Sequence, residues 1–204
     1  MMEKNNYGGL FVAFEGPNGV GKSMLIDLVS AVLKEKGVEV YVTKEPSDTI
    51  IGSFVRKAAE SIEGDSLACL VAADRYYHLV NDIIPNLTKK IVVITDRYVL
   101  SSLVLQRIDK VDVDFILSLN QNVILPDIQF VIMANPAIIQ ERLKQRKSLT
   151  RFEYGNRTSQ EIEFFKEGVE ILDDFNVKSI MIDNYANLEE NVIKIAEIIL
   201  KVVK

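Results

Sequence analysis

Residues 10–23 read Leu10 Phe11 Val12 Ala13 Phe14 Glu15 Gly16 Pro17 Asn18 Gly19 Val20 Gly21 Lys22 Ser23. The apolar run 10–14 has the composition of a buried strand, and the eight residues after Glu15 fit the phosphate-binding pattern GxxxxGK(S/T). Downstream, Leu25, Ile26, Val29, Val32 and Leu33 recur at spacings of three and four, which marks one face of a helix beginning at the lysine. Each loop position has a physical use. Gly16, Pro17, Asn18, Gly19, Val20 and Gly21 form a turn whose N–H groups can face a polyphosphate, and its glycines put no Cβ in the way. Lys22 reaches the β- and γ-phosphates, the Ser23 hydroxyl can ligate Mg²⁺, and the helix aims its positive dipole end at the same place. A nucleoside triphosphate site follows.

The rest of the chain bounds the setting. With 204 residues there is room for one well-buried α/β core, so a single domain over 1–204 is expected. No apolar run reaches about 18 residues and the amino end has no signal-like segment, which predicts a cytoplasmic protein without a membrane partner. A net charge of −5 argues against broad contact with nucleic acid, leaving a small molecule as the partner. Against that acidic background, Arg142, Lys144, Arg146, Lys147 and Arg151 form a local basic run free of acids. The lone cysteine, Cys69, rules out an intrachain disulfide, and its neighbours Leu67, Leu70 and Val71 predict a packed core thiol.

Apolar runs alternate with helical patterns along the whole length. Strands are expected at 10–14, 39–43, 91–95, 128–133 and 179–182, and helices at about 22–36, 49–61, 66–88, 99–107, 112–122, 136–147, 158–174 and 188–203. Such alternation predicts an α/β fold, a five-stranded parallel sheet flanked by helices, with ligands at the carboxyl ends of the strands. Three segments should therefore share one edge: Glu15 with its glycine loop, Lys44 Glu45 Pro46, and Asp96 Arg97 Tyr98. The stretch 142–157 is a candidate lid, because Ser148, Thr150, Gly155 and Asn156 break the helical pattern among its basic residues. Tyr76 and Tyr77 read as packing residues, and His78 has no carboxylate or metal partner visible in the sequence.

Taken together, the motifs resemble the thymidylate kinase family, a branch of the P-loop nucleoside monophosphate kinases, over nearly the whole chain. The resemblance rests on residues 14–23, on Thr43 Lys44 Glu45 Pro46, on Ala72 Ala73 Asp74 Arg75, on Asp96 Arg97 Tyr98 followed by Ser101, Ser102 and Gln106, and on Arg151 Phe152 Glu153. It implies a three-layer P-loop NTPase fold, a homodimer, and transfer of the γ-phosphoryl group of ATP, with Mg²⁺, to a deoxypyrimidine monophosphate, dTMP first. It further implies that Arg97 holds the acceptor phosphate, that Asp96 organises Mg²⁺, that Lys44 sits near the acceptor phosphate and that Arg75 faces the base carbonyl. Ser101, Ser102, Leu105 and Gln106 would complete the acceptor site. Glu45 would orient the acceptor or the metal's waters, or form an ion pair. Members of the family take a catalytic arginine from the loop or from the lid. Positions 17–20 carry no basic residue here, so the lid must supply it, with Arg142 beside the donor and Arg146 or Arg151 at the transferring group.

Three positions depart from the family pattern, and all face the acceptor. Val71 stands where a phenylalanine commonly stacks on thymine, Val104 Leu105 replace an Ala-Tyr pair, and Asn18 replaces a common acidic residue. These changes predict reduced selectivity, extending to dUMP. Two rival readings remain: a deoxynucleoside kinase in which Glu45 is the general base, and a nucleotide-binding module without turnover. The guanine-specifying NKxD pattern is absent.

Overall fold

Strand β2 (Phe11–Glu15) is buried along its full length, as a central parallel strand covered on both faces must be. It pairs with β4 (Val92–Asp96) on one side and β6 (Ile128–Met133) on the other, while β3 (Val40–Lys44) extends the first side and β7 (Ser179–Asp183) the second. All pairings are parallel and the strand order is β3-β4-β2-β6-β7, the five-stranded sheet expected from the alternating pattern. This is a computed structural model, and it describes residues 2–146, 148–153, 157–184 and 187–203. Lys147, Gly155 and Asn156, part of the expected lid, lie outside the described residues.

Side-chain alternation divides the interior in two. Phe11, Ala13, Val93 and Val131 face one apolar cluster, and Val12, Phe14, Ile94, Phe130 and Ile132 face the other. Helices α1 (Lys22–Glu35) and α9 (Leu188–Val203) pack together over the second face. Helices α5 (Val99–Ile108) and α8 (Thr158–Asp173) pack together over the first. Between them run α2 (Ile50–Ala58), α3 (Gly64–His78), α4 (Ile84–Thr88), α6 (Val113–Leu119) and α7 (Pro136–Lys144). No described helix is long and apolar enough to cross a membrane.

Register aligns the functional edge. Phe14 and Lys44 both pair with Asp96, so the loops after β2, β3 and β4 leave the sheet at one level. Chain connections run from β2 toward β3 and β4 and later return on its other side to β6 and β7, which opens a crevice at the carboxyl end of β2.

Four details depart from the sequence pattern. The helix expected at 66–88 is continuous but widens to a π-turn at Leu79–Ile83. Pro85 explains the widening, since it cannot donate to the preceding turn and its ring crowds the carbonyl there. A second, two-stranded parallel sheet joins β1 (Glu3–Lys4) to β5 (Ile124–Leu125); two residues per strand are too few to show a period. Cys69 is exposed rather than packed, because α3 turns Leu67, Ala68 and Ala72 inward and leaves position 69 on the outer face. His78 is fully buried, and the fold supplies the carboxylate partner that the sequence does not show, Glu45, thirty-three positions away.

Candidate functional site

The glycine loop is shaped by close approach to its neighbours. Gly16 has φ 139°, and a Cβ there would lie 2.2 Å from the Ile132 carbonyl oxygen; Gly21 has φ 103°, and a Cβ would meet Asn184 Nδ2 at 2.8 Å. Only glycine fits either place. Within the turn, Lys22 Nζ donates to the carbonyls of Gly16 at 2.9 Å and Pro17 at 3.0 Å. Burial, and after it the nearby Arg97 charge, lowers the Lys22 ammonium to about 8 against the opposing pull of Asp96. Arg142 and Asn184 brace the loop from outside by donating to the Val20 carbonyl at 2.8 and 2.9 Å.

Ser23 Oγ donates to Asp96 Oδ2 at 2.9 Å. The second carboxylate oxygen, Asp96 Oδ1, is buried and has no hydrogen-bond partner. An anionic oxygen left bare beside a hydroxyl is a fitting donor set for a hard cation such as Mg²⁺, which takes few protein ligands and completes its shell with water and phosphate. The loop, Asp96, Arg97 and Arg146 enclose a polar cavity of about 370 Å³.

Arg97 forms the floor between this cavity and a second one. Its φ of 74° lies in the left-handed region, a conformation costing a non-glycine residue roughly 1 kcal/mol or more. The N–H holds it there by donating to Phe14 O at 2.9 Å, and the guanidinium donates to Ser101 Oγ at 3.0 Å and Asn18 Oδ1 at 2.8 Å. Two buried carboxylates support the arrangement. Glu15 accepts from the N–H groups of Tyr98 and Ser101 and from the Ser101 hydroxyl at 2.5 Å. Glu161, from α8, accepts from the Asn18 N–H at 3.1 Å. Burial raises both carboxyls above their ordinary value, against the pull of Arg97 and of their hydrogen bonds. Glu15 is placed at this edge by its position at the end of a strand, whereas nothing in the spacing flags Glu161, one of several acids on an amphipathic helix.

The second cavity, about 280 Å³, is mainly apolar and carries Leu67 and Val71 from α3, Leu105 from α5, Val55 from α2 and Phe152. Ser101, Ser102, Gln106, Arg75 and Glu45 are among the residues that bring polar atoms to it. Gln106 Oε1 is buried and unpartnered, the kind of atom a ligand N–H would satisfy. Arg75 is clamped, donating to Glu45 at 2.8 Å, Asn120 at 2.5 Å, Ser102 at 2.9 Å and the Tyr98 carbonyl at 3.1 Å. His78 Nδ1 lies 3.4 Å from the other oxygen of Glu45, and its Nε2 lies 2.7 Å from Thr43 Oγ1. Arg56 also lines the cavity, braced on the carbonyls of Pro46 and Ser47; sequence reasoning missed it, though a cation on the helix just after Glu-Pro was the available signal.

Two expected residues lie elsewhere. Lys44 is half exposed and pairs with Asp48 at 3.0 Å, away from the cavity lining. Arg151 turns from the loop and grips Asp109 with two hydrogen bonds of 2.7 and 2.5 Å, with further donation to the carbonyls of Ala59 and Ile62. Arg146 alone of this pair reaches the phosphate cavity, held by an ion pair to Glu153.

Asn18 and Arg97 line both cavities. A polyphosphate cradle and an apolar nucleoside-sized pocket with a common wall are the layout of an enzyme that passes phosphoryl groups between two bound nucleotides, a P-loop nucleoside monophosphate kinase. Comparison with known proteins narrows the class. The thymidylate kinase family model matches residues 14–195. The thymidylate kinase of Caldicellulosiruptor saccharolyticus is 42% identical over 144 residues, covering 67% of this chain and 70% of that protein. The probable thymidylate kinase of Caldivirga maquilingensis is 40% identical over 148 residues, covering 71% and 72%, and the thymidylate kinase of Exiguobacterium sp. is 34% identical over 154 residues, covering 71% and 73%. The chain belongs to the thymidylate kinase family.

Proposed function

We propose that this protein transfers the γ-phosphoryl group of ATP to dTMP, giving dTDP and ADP. The observation that carries this is the wall common to the two cavities, Asn18 and Arg97, where an acceptor phosphate would face the end of a triphosphate. A phosphate oxygen of dTMP attacks the γ-phosphorus, the bond to the β,γ-bridging oxygen breaks, and ADP leaves with that electron pair. The protein needs to align the two oxygens and balance charge, with little covalent chemistry of its own.

Lys22 and Arg146 neutralise the transferring group, and Arg97, fixed by Ser101 and Asn18, holds the acceptor phosphate. Arg56 adds a second cation at the mouth of the acceptor pocket. Ser23 and Asp96 would hold Mg²⁺, which when bound supplies charge neutralisation at the donor phosphates. Deeper in the acceptor pocket, Gln106 Oε1 suits the imide N–H of a pyrimidine. Glu45, committed to Arg75 and His78, serves as an anchor for the base-facing arginine. The same reading includes a homodimer formed through the outer face of α3.

The test is Mg²⁺- and ATP-dependent ADP formation against dTMP, dUMP, UMP, dCMP and thymidine, with Lys22→Ala as the blank. Turnover is expected with dTMP, to a lesser extent with dUMP, and not with thymidine. Preference for thymidine over dTMP would make it a deoxynucleoside kinase, and silence with every acceptor would refute catalysis.

A further inference from the structure

The aliphatic side of the acceptor cavity, Leu67, Val71 and Leu105, offers a flat base nothing to stack on. Among the described lining residues two are aromatic, and they differ in availability. Tyr98 is spent on the core: it is 1% exposed, its hydroxyl donates to the Ile124 carbonyl at 2.8 Å, and Phe11 meets its ring edge-on at 5.0 Å. Phe152 is only half buried and comes from the basic segment after α7.

Its neighbours pin it. The Arg151 guanidinium lies 4.1 Å from the centre of the Phe152 ring, covering one side of it. Arg151 itself cannot follow a moving ring, because Asp109, whose side chain is 3% exposed, holds it through two hydrogen bonds. On the other flank, Glu153 accepts from the Thr150 N–H at 2.8 Å and pairs with Arg146. A ring backed by a fixed cation and lining a mainly apolar cavity is a preorganised stacking surface.

We propose that Phe152, set in place by the Arg151–Asp109 pair, is the stacking wall for the flat base of the acceptor nucleotide and takes the part that Val71 cannot. The inference rests on the acceptor-site reading given under Proposed function. It makes Phe152 a specificity determinant and Arg151 a positioning residue rather than a source of charge at the transferring phosphoryl group.

Calorimetric titration with dTMP and with 2-deoxyribose 5-phosphate, which keeps sugar and phosphate but lacks the base, tests it without relying on turnover. Phe152→Leu is expected to weaken dTMP about tenfold and leave 2-deoxyribose 5-phosphate unchanged, while Phe152→Tyr binds both as the wild type does. Asp109→Ala should weaken dTMP by a similar factor, and the double variant should be no worse than Phe152→Leu alone, because both changes remove one ring placement. Unchanged dTMP affinity in Phe152→Leu, or equal loss of both ligands, overturns the proposal. Fully additive effects of the two substitutions overturn the role of the ion pair. A wild-type protein that does not bind dTMP overturns the acceptor assignment together with this inference, an outcome distinct from failure of the variant alone.

Discussion

Glu161 shows how much a single buried side chain can decide. Asn18 stands in the loop where the family commonly has an acid, and the carboxylate of Glu161, delivered from α8, reaches the same loop by accepting from the Asn18 backbone. The charge thus lies next to Arg97 and Lys22 without occupying the loop itself. Burial raises its carboxyl above the ordinary 4.5, so between that value and the raised one the folded chain holds a proton that the unfolded chain has released. Stability contributed by this group is therefore greatest at or below pH about 4.5 and is lost as the pH climbs through the raised value. Glu161→Gln removes the titration while keeping an oxygen for the Asn18 N–H. The melting temperature of the variant relative to wild type should accordingly rise between pH 4.5 and pH 7; a difference that stays constant across that range would count against a buried, proton-retaining Glu161.

At the scale of elements, the segment joining α7 to α8 divides work between two arginines that look equivalent in sequence. Arg146 reaches the phosphate cavity, whereas Arg151 braces Phe152 against Asp109. Arg146→Gln retains an N–H donor for Glu153 but removes the charge, and kcat should fall about 10²- to 10⁴-fold with little change in melting temperature. Arg151→Ala should instead raise the KM for dTMP and lower kcat less than tenfold; steady-state kinetics showing equal kcat losses in the two variants would reverse this division. The contrast also marks where sequence stops being informative. Strands β2, β3, β4, β6 and β7 and the loop at Gly16 are legible because periodicity and local motif are properties of neighbouring residues. The two-residue strands β1 and β5 carry no period. Pairings such as Arg151 with Asp109, Glu161 with Asn18 and His78 with Glu45 span 42, 143 and 33 positions, and only the folded sheet brings such partners together.

At the scale of the whole molecule, α3 has to satisfy two surfaces. Its inner row, Leu67, Ala68, Ala72 and Arg75, is buried against the fold, yet Cys69, Ala73 and Tyr77 on its outer side, with Val80 on the π-turn that continues it, are exposed and none of them is charged. Spacings of four, four and three place these side chains on one stripe. Val80 is 66% exposed and Tyr77 42%, while the small Ala73, between Cys69 and Tyr77, lets another helix approach closely. A stripe of this kind is self-complementary under two-fold symmetry, which is the commonest arrangement of a soluble oligomer. Sedimentation should then give twice the 23.0 kDa chain mass. Ala73→Glu places a charge at the centre of the stripe without touching the inner row, so it should yield a monomer with unchanged far-UV circular dichroism. In that monomer the Cys69 thiol, shielded in the dimer, should react faster with a thiol reagent. A wild-type chain that sediments as a monomer, or a variant that remains dimeric with Cys69 no more reactive, would move the association surface away from α3.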